Sequence, residues 1–149
     1  MRKTSVTFRN GRIFDGKCLH EGQGVHFKDG RFDGFQPEEE LIQSKQDIDL
    51  GGDILFPGFV DLQVNGGDGI LFNADPSTET LRRIANAHRR LGVTAFLPTL
   101  ISDTRDKTCA AIAAVVEAIS DGIPGVAGLH LEGPHLSTQR KGAHDATLI

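Results

Sequence analysis

The chain has 149 residues, 38% of them hydrophobic and 24% charged, with a formal charge of -4, a balance that suits one soluble globular domain long enough to bury a core. The negative charge argues against nucleic acid as a partner, since the basic footprint for binding phosphates is missing; Arg82, Arg83, Arg89 and Arg90 fall on an amphipathic pattern and read as a solvated helix face. No apolar run approaches membrane-spanning length, "MRKTSVTFRNGRIF" lacks the apolar core of a signal peptide, and Cys18 and Cys109 have no C-x-x-C spacing, so a cytoplasmic protein with reduced thiols and no membrane partner is expected.

Residues 1–55 read as short β segments broken by turns. Asn10-Gly11 between "SVTFRN" and "GRIFDG", and Asp29-Gly30 within "GVHFKDGRFDGF", accept the positive φ angles of tight hairpins, so two hairpins are expected. "PEEELIQSKQD" is a polar connection, and "IDLGGDILFPG" leads out of this small β region.

From residue 56 onward strand alternates with helix. "FVDLQV" is apolar and β-branched enough for a buried strand. Asp75-Pro76 opens a helix whose inward face carries Leu81, Ile84, Ala85, His88 and Leu91, and Gly92 ends it. "VTAFLPTL" is the second strand. Ser102 or Asp103 is positioned to cap a second helix, with Cys109, Ile112, Val115, Val116 and Ile119 on its face, Cys109 on the buried side, and Gly122 closing it. "GVAGLHLE" is the third strand. This order predicts a parallel α/β fold, whose active groups gather at the carboxyl ends of the strands. Those ends carry Asp61, Gln63 and Asn65, then Thr99, then Glu132. An eight-stranded barrel takes about 250 residues, so residues 56–149 supply only three of its strands.

Glu132 is the sharpest candidate. The period of two in "LHLE" puts His130 and Glu132 on one face, before Gly133 and Pro134 turn the chain. A carboxylate there serves as a divalent-metal ligand or as a general acid or base; equally, it pairs with a neighbouring cation or caps a loop, and spacing alone does not separate these. Where a strand ending in H-x-H would give two imidazoles, this chain has Gln63 and Asn65, neutral amides that bind transition metals poorly and suit hydrogen bonding at a strand end. Gly66, Gly67 and Gly69 lack the spacing and lysine of a phosphate-binding loop. His144, after Lys141-Gly142-Ala143, is either a hydrogen-bond donor to a substrate oxygen or an exposed loop histidine. His20, His26, His88 and His135 have no partner spacing.

"LFPGFVDLQVNGGDGILFN", "GVTAFLPTLIS" and "GLHLEGPHLSTQRKGAH" together resemble the N-acetylglucosamine-6-phosphate deacetylases of the amidohydrolase superfamily. "LHLEGP" followed by "KGAH" is the specific part, and Q-x-N in place of H-x-H agrees with many of these enzymes. The resemblance implies a (β/α)8 barrel (TIM-like), with residues 1–55 as the N-terminal part of a small β-sandwich domain and residues 56–149 as the first three β/α strands. It implies Glu132 as the carboxylate ligand of one divalent metal ion of zinc, iron or manganese type, and Ala143 and His144 as sugar contacts, Ala143 through its backbone. It places no catalytic residue in this chain: two further histidine ligands, the aspartate acid–base and the phosphate contacts lie on later strands. The implied activity is hydrolysis of N-acetylglucosamine 6-phosphate to glucosamine 6-phosphate and acetate by a homodimeric full-length protein, with the given chain an N-terminal portion inactive alone. Rival readings are an amidohydrolase acting on a cyclic amide or another acetylated sugar, and a non-catalytic truncated remnant.

Overall fold

The computed structural model describes residues 4–149, so Met1, Arg2 and Lys3 of the N-terminal stretch considered above lie outside the described residues. The chain divides into two compact units, Met1–Pro57 and Gly58–Ile149.

The first unit is all β. Strands β1 (Ser5–Arg9), β4 (Gln23–Lys28), β5 (Arg31–Pro37) and β6 (Gln46–Asp49) form a sheet in the order β5-β4-β1-β6, and β2 (Arg12–Phe14), β3 (Leu19–His20) and β7 (Ile54–Leu55) form a second in the order β3-β2-β7. The expected Asp29-Gly30 hairpin is present: both residues have positive φ, 51° and 75°, and β4 and β5 pair antiparallel, the geometry that matches strand twist. The expected Asn10-Gly11 hairpin is not. β1 and β2 lie in different sheets, and only Asn10 is left-handed. The turn is fixed instead by Leu50–Gly52, whose Leu50 and Gly52 N–H groups donate to the Arg9 and Asn10 carbonyls. Gly11 is required for closeness, since a Cβ there would run into the Leu50 side chain.

The second unit is α/β. Strands β8 (Phe59–Val64), β11 (Val93–Ile101) and β12 (His130–Glu132) form a parallel sheet in the order β12-β11-β8, with a small antiparallel pair β9 (Gly66–Gly67) and β10 (Ile70–Leu71) after β8. Helices α1 (Thr78–Arg89) and α2 (Arg105–Ser120) connect the parallel strands. The expected strand–helix–strand–helix–strand order is therefore observed. Ser77 caps α1, its Oγ accepting the Thr80 N–H, and Gly92 beyond it has φ +88°. Leu81, Ile84 and Ala85 are buried as expected, in a core with Phe72, Phe96, Leu100 and Val115; Leu91 is exposed. His88 stacks on Phe96 and sits 3.0 Å from the Gly66 carbonyl oxygen.

Three readings of this unit need correction. Thr104, not Ser102 or Asp103, caps α2, its Oγ1 accepting the Lys107 N–H. The buried face of α2 is Ala111, Ala114, Val115 and Ala118, while Cys109, Ile112, Val116 and Ile119 are exposed. Small side chains allow the helix to lie close to its neighbours, and the larger ones are turned away. Finally, β8 is an edge of the described sheet, and its Phe59, Val60 and Leu62 are exposed.

Candidate active site at the strand ends

The carboxyl ends of β11 and β12 are in register, with Thr99 opposite His130 and Ile101 opposite Glu132, and Pro98 of β11 pairs with Val64 at the end of β8 after a register shift. Parallel pairing and the pleat thereby bring residues far apart in sequence to one end of the sheet. Thr99 is fully buried and ties two strands together: its Oγ1 accepts the Val64 N–H at 3.0 Å and donates to the Leu97 carbonyl at 3.2 Å. His130 Nδ1 lies 3.1 Å from the Leu62 carbonyl oxygen, joining β12 to β8.

Asn73 braces the end of β11 from both sides. Its Nδ2 donates to the Ile101 carbonyl and to Asp103 Oδ2, and its Oδ1 accepts the Ile101 N–H, all at 3.0–3.1 Å. Lys107 adds a bond from Nζ to the Asn73 carbonyl at 2.9 Å. Burial acts to raise the Asp103 pKa, but the Asn73 amide, the Thr104 N–H and Lys107 outweigh it and hold the carboxyl below its ordinary value.

Glu132 sits at the focus. Gln63 Nε2 donates to its Oε2 at 2.9 Å, and His144 Nε2 lies 3.4 Å from its Oε1. His144 reaches it because the segment after β12 turns back: Gly133 and Gly142 have positive φ, and a short 3-10 turn spans Thr138–Arg140. Two hydrogen bonds pin the returning end, one from the His144 N–H to the Lys141 carbonyl and one from Lys141 Nζ to the His144 carbonyl. His144 is 5% exposed, not a free loop histidine. Its Nδ1 takes Ser102, from both the backbone N–H and Oγ, at 3.3 and 2.9 Å.

A cleft of about 480 Å³ opens here, with Gln63, Asn65, Glu132, Ala143 and His144 in its wall together with Arg140 and Lys141. The structure thus gathers Gln63, Glu132 and His144 into one hydrogen-bonded group and places Asn65 and Ala143 in the same wall. Asp61 instead accepts the Gln63 N–H, shaping the strand end. Ser102 and Asn73 are not among the site residues that the sequence leads one to expect. Ser102 is met 42 residues away by His144, which no local spacing announces, and Asn73, though it ends the "LFPGFVDLQVNGGDGILFN" stretch, is a neutral loop amide with no partner spacing.

The donor chemistry fits part of a metal centre. Glu132 is an oxygen donor with each oxygen braced by one neighbour, so it is held in one orientation at a cleft. Among the described residues no group of three or more His, Cys, Asp or Glu side chains stands close enough to hold an ion, and a catalytic divalent site takes three protein ligands. The Gln63 amide presents its N–H side to the carboxylate, the orientation of a hydrogen-bonding partner.

By fold and site the chain is an α/β protein with its polar cleft at the carboxyl ends of parallel strands. No protein-family model matches it. It is 43% identical over 128 residues to an N-acetylgalactosamine-6-phosphate deacetylase of Shewanella sp. (strain ANA-3), covering 85% of this chain and 32% of that one. It is 38% identical over 151 residues to the human N-acetylglucosamine-6-phosphate deacetylase, covering 93% and 35%. The crystal structure of N-acetylglucosamine-6-phosphate deacetylase from Pasteurella multocida superposes with a TM-score of 0.92 at 32% identity, over 97% of this chain and 38% of that one. In sequence and in fold the chain belongs to the N-acetylglucosamine-6-phosphate deacetylase family. It spans about a third of the length of the relatives it matches.

Proposed function

We propose that the full-length protein hydrolyses the acetamide of N-acetylglucosamine 6-phosphate, releasing glucosamine 6-phosphate and acetate. The observation that carries this reading is Glu132, braced by Gln63 and His144 at the strand end of a fold homologous to such deacetylases. In this reading residues 56–149 contribute the first three strands of a (β/α)8 barrel, and residues 1–55 the N-terminal part of a small β-sandwich domain.

Glu132 would hold one divalent ion of zinc, iron or manganese type, together with ligands from outside these residues. Such an ion, when bound, polarises the amide carbonyl and lowers the pKa of a water. Glu132 supplies the negative charge that a hard or borderline cation prefers. Gln63 fixes its Oε2 and leaves lone pairs on both oxygens. His144 and the Ala143 backbone contact the sugar from the cleft wall, where His144 is shielded from water. The general acid–base that delivers a proton to the leaving amine has no counterpart among Gln63, Asn65, Glu132 and His144, so these residues bind and orient. The full-length enzyme is proposed to be a cytoplasmic homodimer, the dimer on the strength of the family resemblance and the cytoplasm on that of a phosphorylated substrate and two unpaired cysteines.

A second reading, the 4-epimeric substrate N-acetylgalactosamine 6-phosphate, is favoured by the relative at 43% identity. Acetate release from both sugar phosphates by the full-length protein decides between them. In the same assay Glu132→Gln keeps the size of the side chain but removes its charge, and is expected to abolish most turnover and lower metal content, while Gln63→Ala loses one hydrogen bond and is much milder. Full metal occupancy and near-normal turnover in Glu132→Gln would refute the ligand role. The 149-residue polypeptide expressed by itself is expected to show no metal-dependent acetate release.

A further inference from the structure

Ser102 stands one residue beyond β11 and is buried. Its backbone N–H donates to His144 Nδ1 at 3.3 Å, and its hydroxyl lies 2.9 Å from the same nitrogen. A backbone N–H can only donate, so Nδ1 must present a lone pair, and a neutral ring then carries its proton on Nε2. The other side of the ring agrees. Nε2 faces Glu132 Oε1 at 3.4 Å, and an ionised carboxylate can only accept.

His130, at the same strand end, shows that this arrangement is particular to His144. Its Nδ1 meets the Leu62 carbonyl oxygen at 3.1 Å, an acceptor, which calls for a proton on Nδ1. The two neighbouring histidines are thus set in opposite senses by their partners.

The backbone leaves room for Ser102 to act. Gly133 has φ +102°, and a Cβ there would collide with Ser102 Oγ. The turn after Glu132 therefore closes over the hydroxyl, holding it on the ring.

We propose that Ser102 is a positioning residue that fixes His144 in the Nε2–H form, making its ring a hydrogen-bond donor toward the cleft. The ligand group that meets His144 is then an acceptor oxygen, a carbonyl or hydroxyl oxygen, and not an N–H. The kinetic part of this inference rests on the deacetylase reading; the tautomer itself does not.

The test uses the full-length protein, metal-free, with nitrogen-15 in its histidines and in mildly alkaline solution. Long-range proton–nitrogen correlations report which ring nitrogen carries the proton, and His144→Gln assigns the signals. The wild type is expected to show His144 in a single Nε2–H form. Ser102→Ala keeps the backbone donor and so should keep the Nε2–H form, but loss of the hydroxyl bond should move the Nδ1 nitrogen-15 shift, while Ser102→Thr, which retains the hydroxyl, should restore it. In metal-loaded protein Ser102→Ala should raise KM for the sugar phosphate roughly three- to tenfold, the loss of about one hydrogen bond, with kcat less affected. An Nδ1–H form in the wild type, or an Nδ1 shift unmoved in Ser102→Ala, overturns the proposal, even if that variant is less stable. An Nε2–H form whose Nδ1 shift moves in Ser102→Ala, in a protein that deacetylates neither sugar phosphate, upholds the positioning and refutes the deacetylase reading.

Discussion

The two units of this chain hold themselves together in different ways. In residues 58–149 two helices and a parallel sheet enclose a contiguous core, with Phe72, Leu81 and Ile84 fully buried and Phe96 nearly so. In the all-β unit few apolar side chains are buried, chiefly Ile13 and Val25, and Phe14, Leu19, Phe32 and Ile54 are exposed. There the order resides in turns: left-handed Asn10 and Asp29, glycines of positive φ, and side-chain bonds such as Asn10 Nδ2 to Asp49 Oδ1 at 2.7 Å. A packed core gives each position a large, shape-dependent stake, whereas turn chemistry gives small and local ones. The polar cleft lies on the unit that is packed, where the strand ends are held from behind.

The largest effects should follow from this contrast. Phe96→Ala or Leu81→Ala is expected to cost about 3–5 kcal/mol through lost burial and a cavity. Phe32→Ala, at a side chain 54% exposed, should stay below about 1 kcal/mol. Denaturant unfolding of the full-length protein, read with hydrogen exchange in each unit, measures both. Equal costs would erase the distinction.

Legibility in the sequence follows the same division. The order of strands and helices after residue 56 was readable because a parallel α/β unit needs long periodic segments. The face of α2 was not. "AAIAAVVEAIS" is apolar nearly all round, so hydrophobicity cannot choose a side, and close packing selected the alanines. Asn10-Gly11 has hairpin chemistry, but its partner strands lie elsewhere, a tertiary choice that the dipeptide does not encode. At the site, Glu132 stood out by its place before Gly133-Pro134. Ser102 meeting His144 depends on a chain reversal that only the three-dimensional structure displays.

Turns should yield intermediate effects. Gly30→Ala puts a Cβ at φ 75° and is expected to cost about 1–2 kcal/mol, felt in exchange protection of β4 and β5. No loss there would mean the hairpin does not depend on its turn. Its counterpart in the packed unit is Ser77→Ala, which removes the oxygen that accepts the Thr80 N–H and should cost about 1 kcal/mol, seen first as fraying at the start of α1.

The smallest effect concerns acid. Asp15, between β2 and β3, accepts the N–H groups of Cys18 and Lys17 at 2.8 Å and faces the His20 ring at 2.9 Å. The Cys18 N–H, then the His20 ring and the Lys17 N–H, favour its ionised form and lower its pKa from 3.8 to about 2. The sign is that of a depressed carboxylate. Its contribution to stability is fully present above pH 3.8, and it is lost as the pH falls from there through about 2. Because the carboxyl is solvent-exposed, the readout is local. Carbon-13 shifts of the carboxyl should titrate near pH 2 in the folded protein, and loosening of the Asp15–His20 turn should accompany it while β11 and its core neighbours stay protected. Asp75, which accepts the Thr80 and Ser77 hydroxyls beside α1, also has a lowered pKa from those bonds, so it provides the matching probe in the packed unit. A normal midpoint for Asp15 with a lowered one for Asp75 would show that the turns of the β unit are looser in solution than their hydrogen bonds indicate.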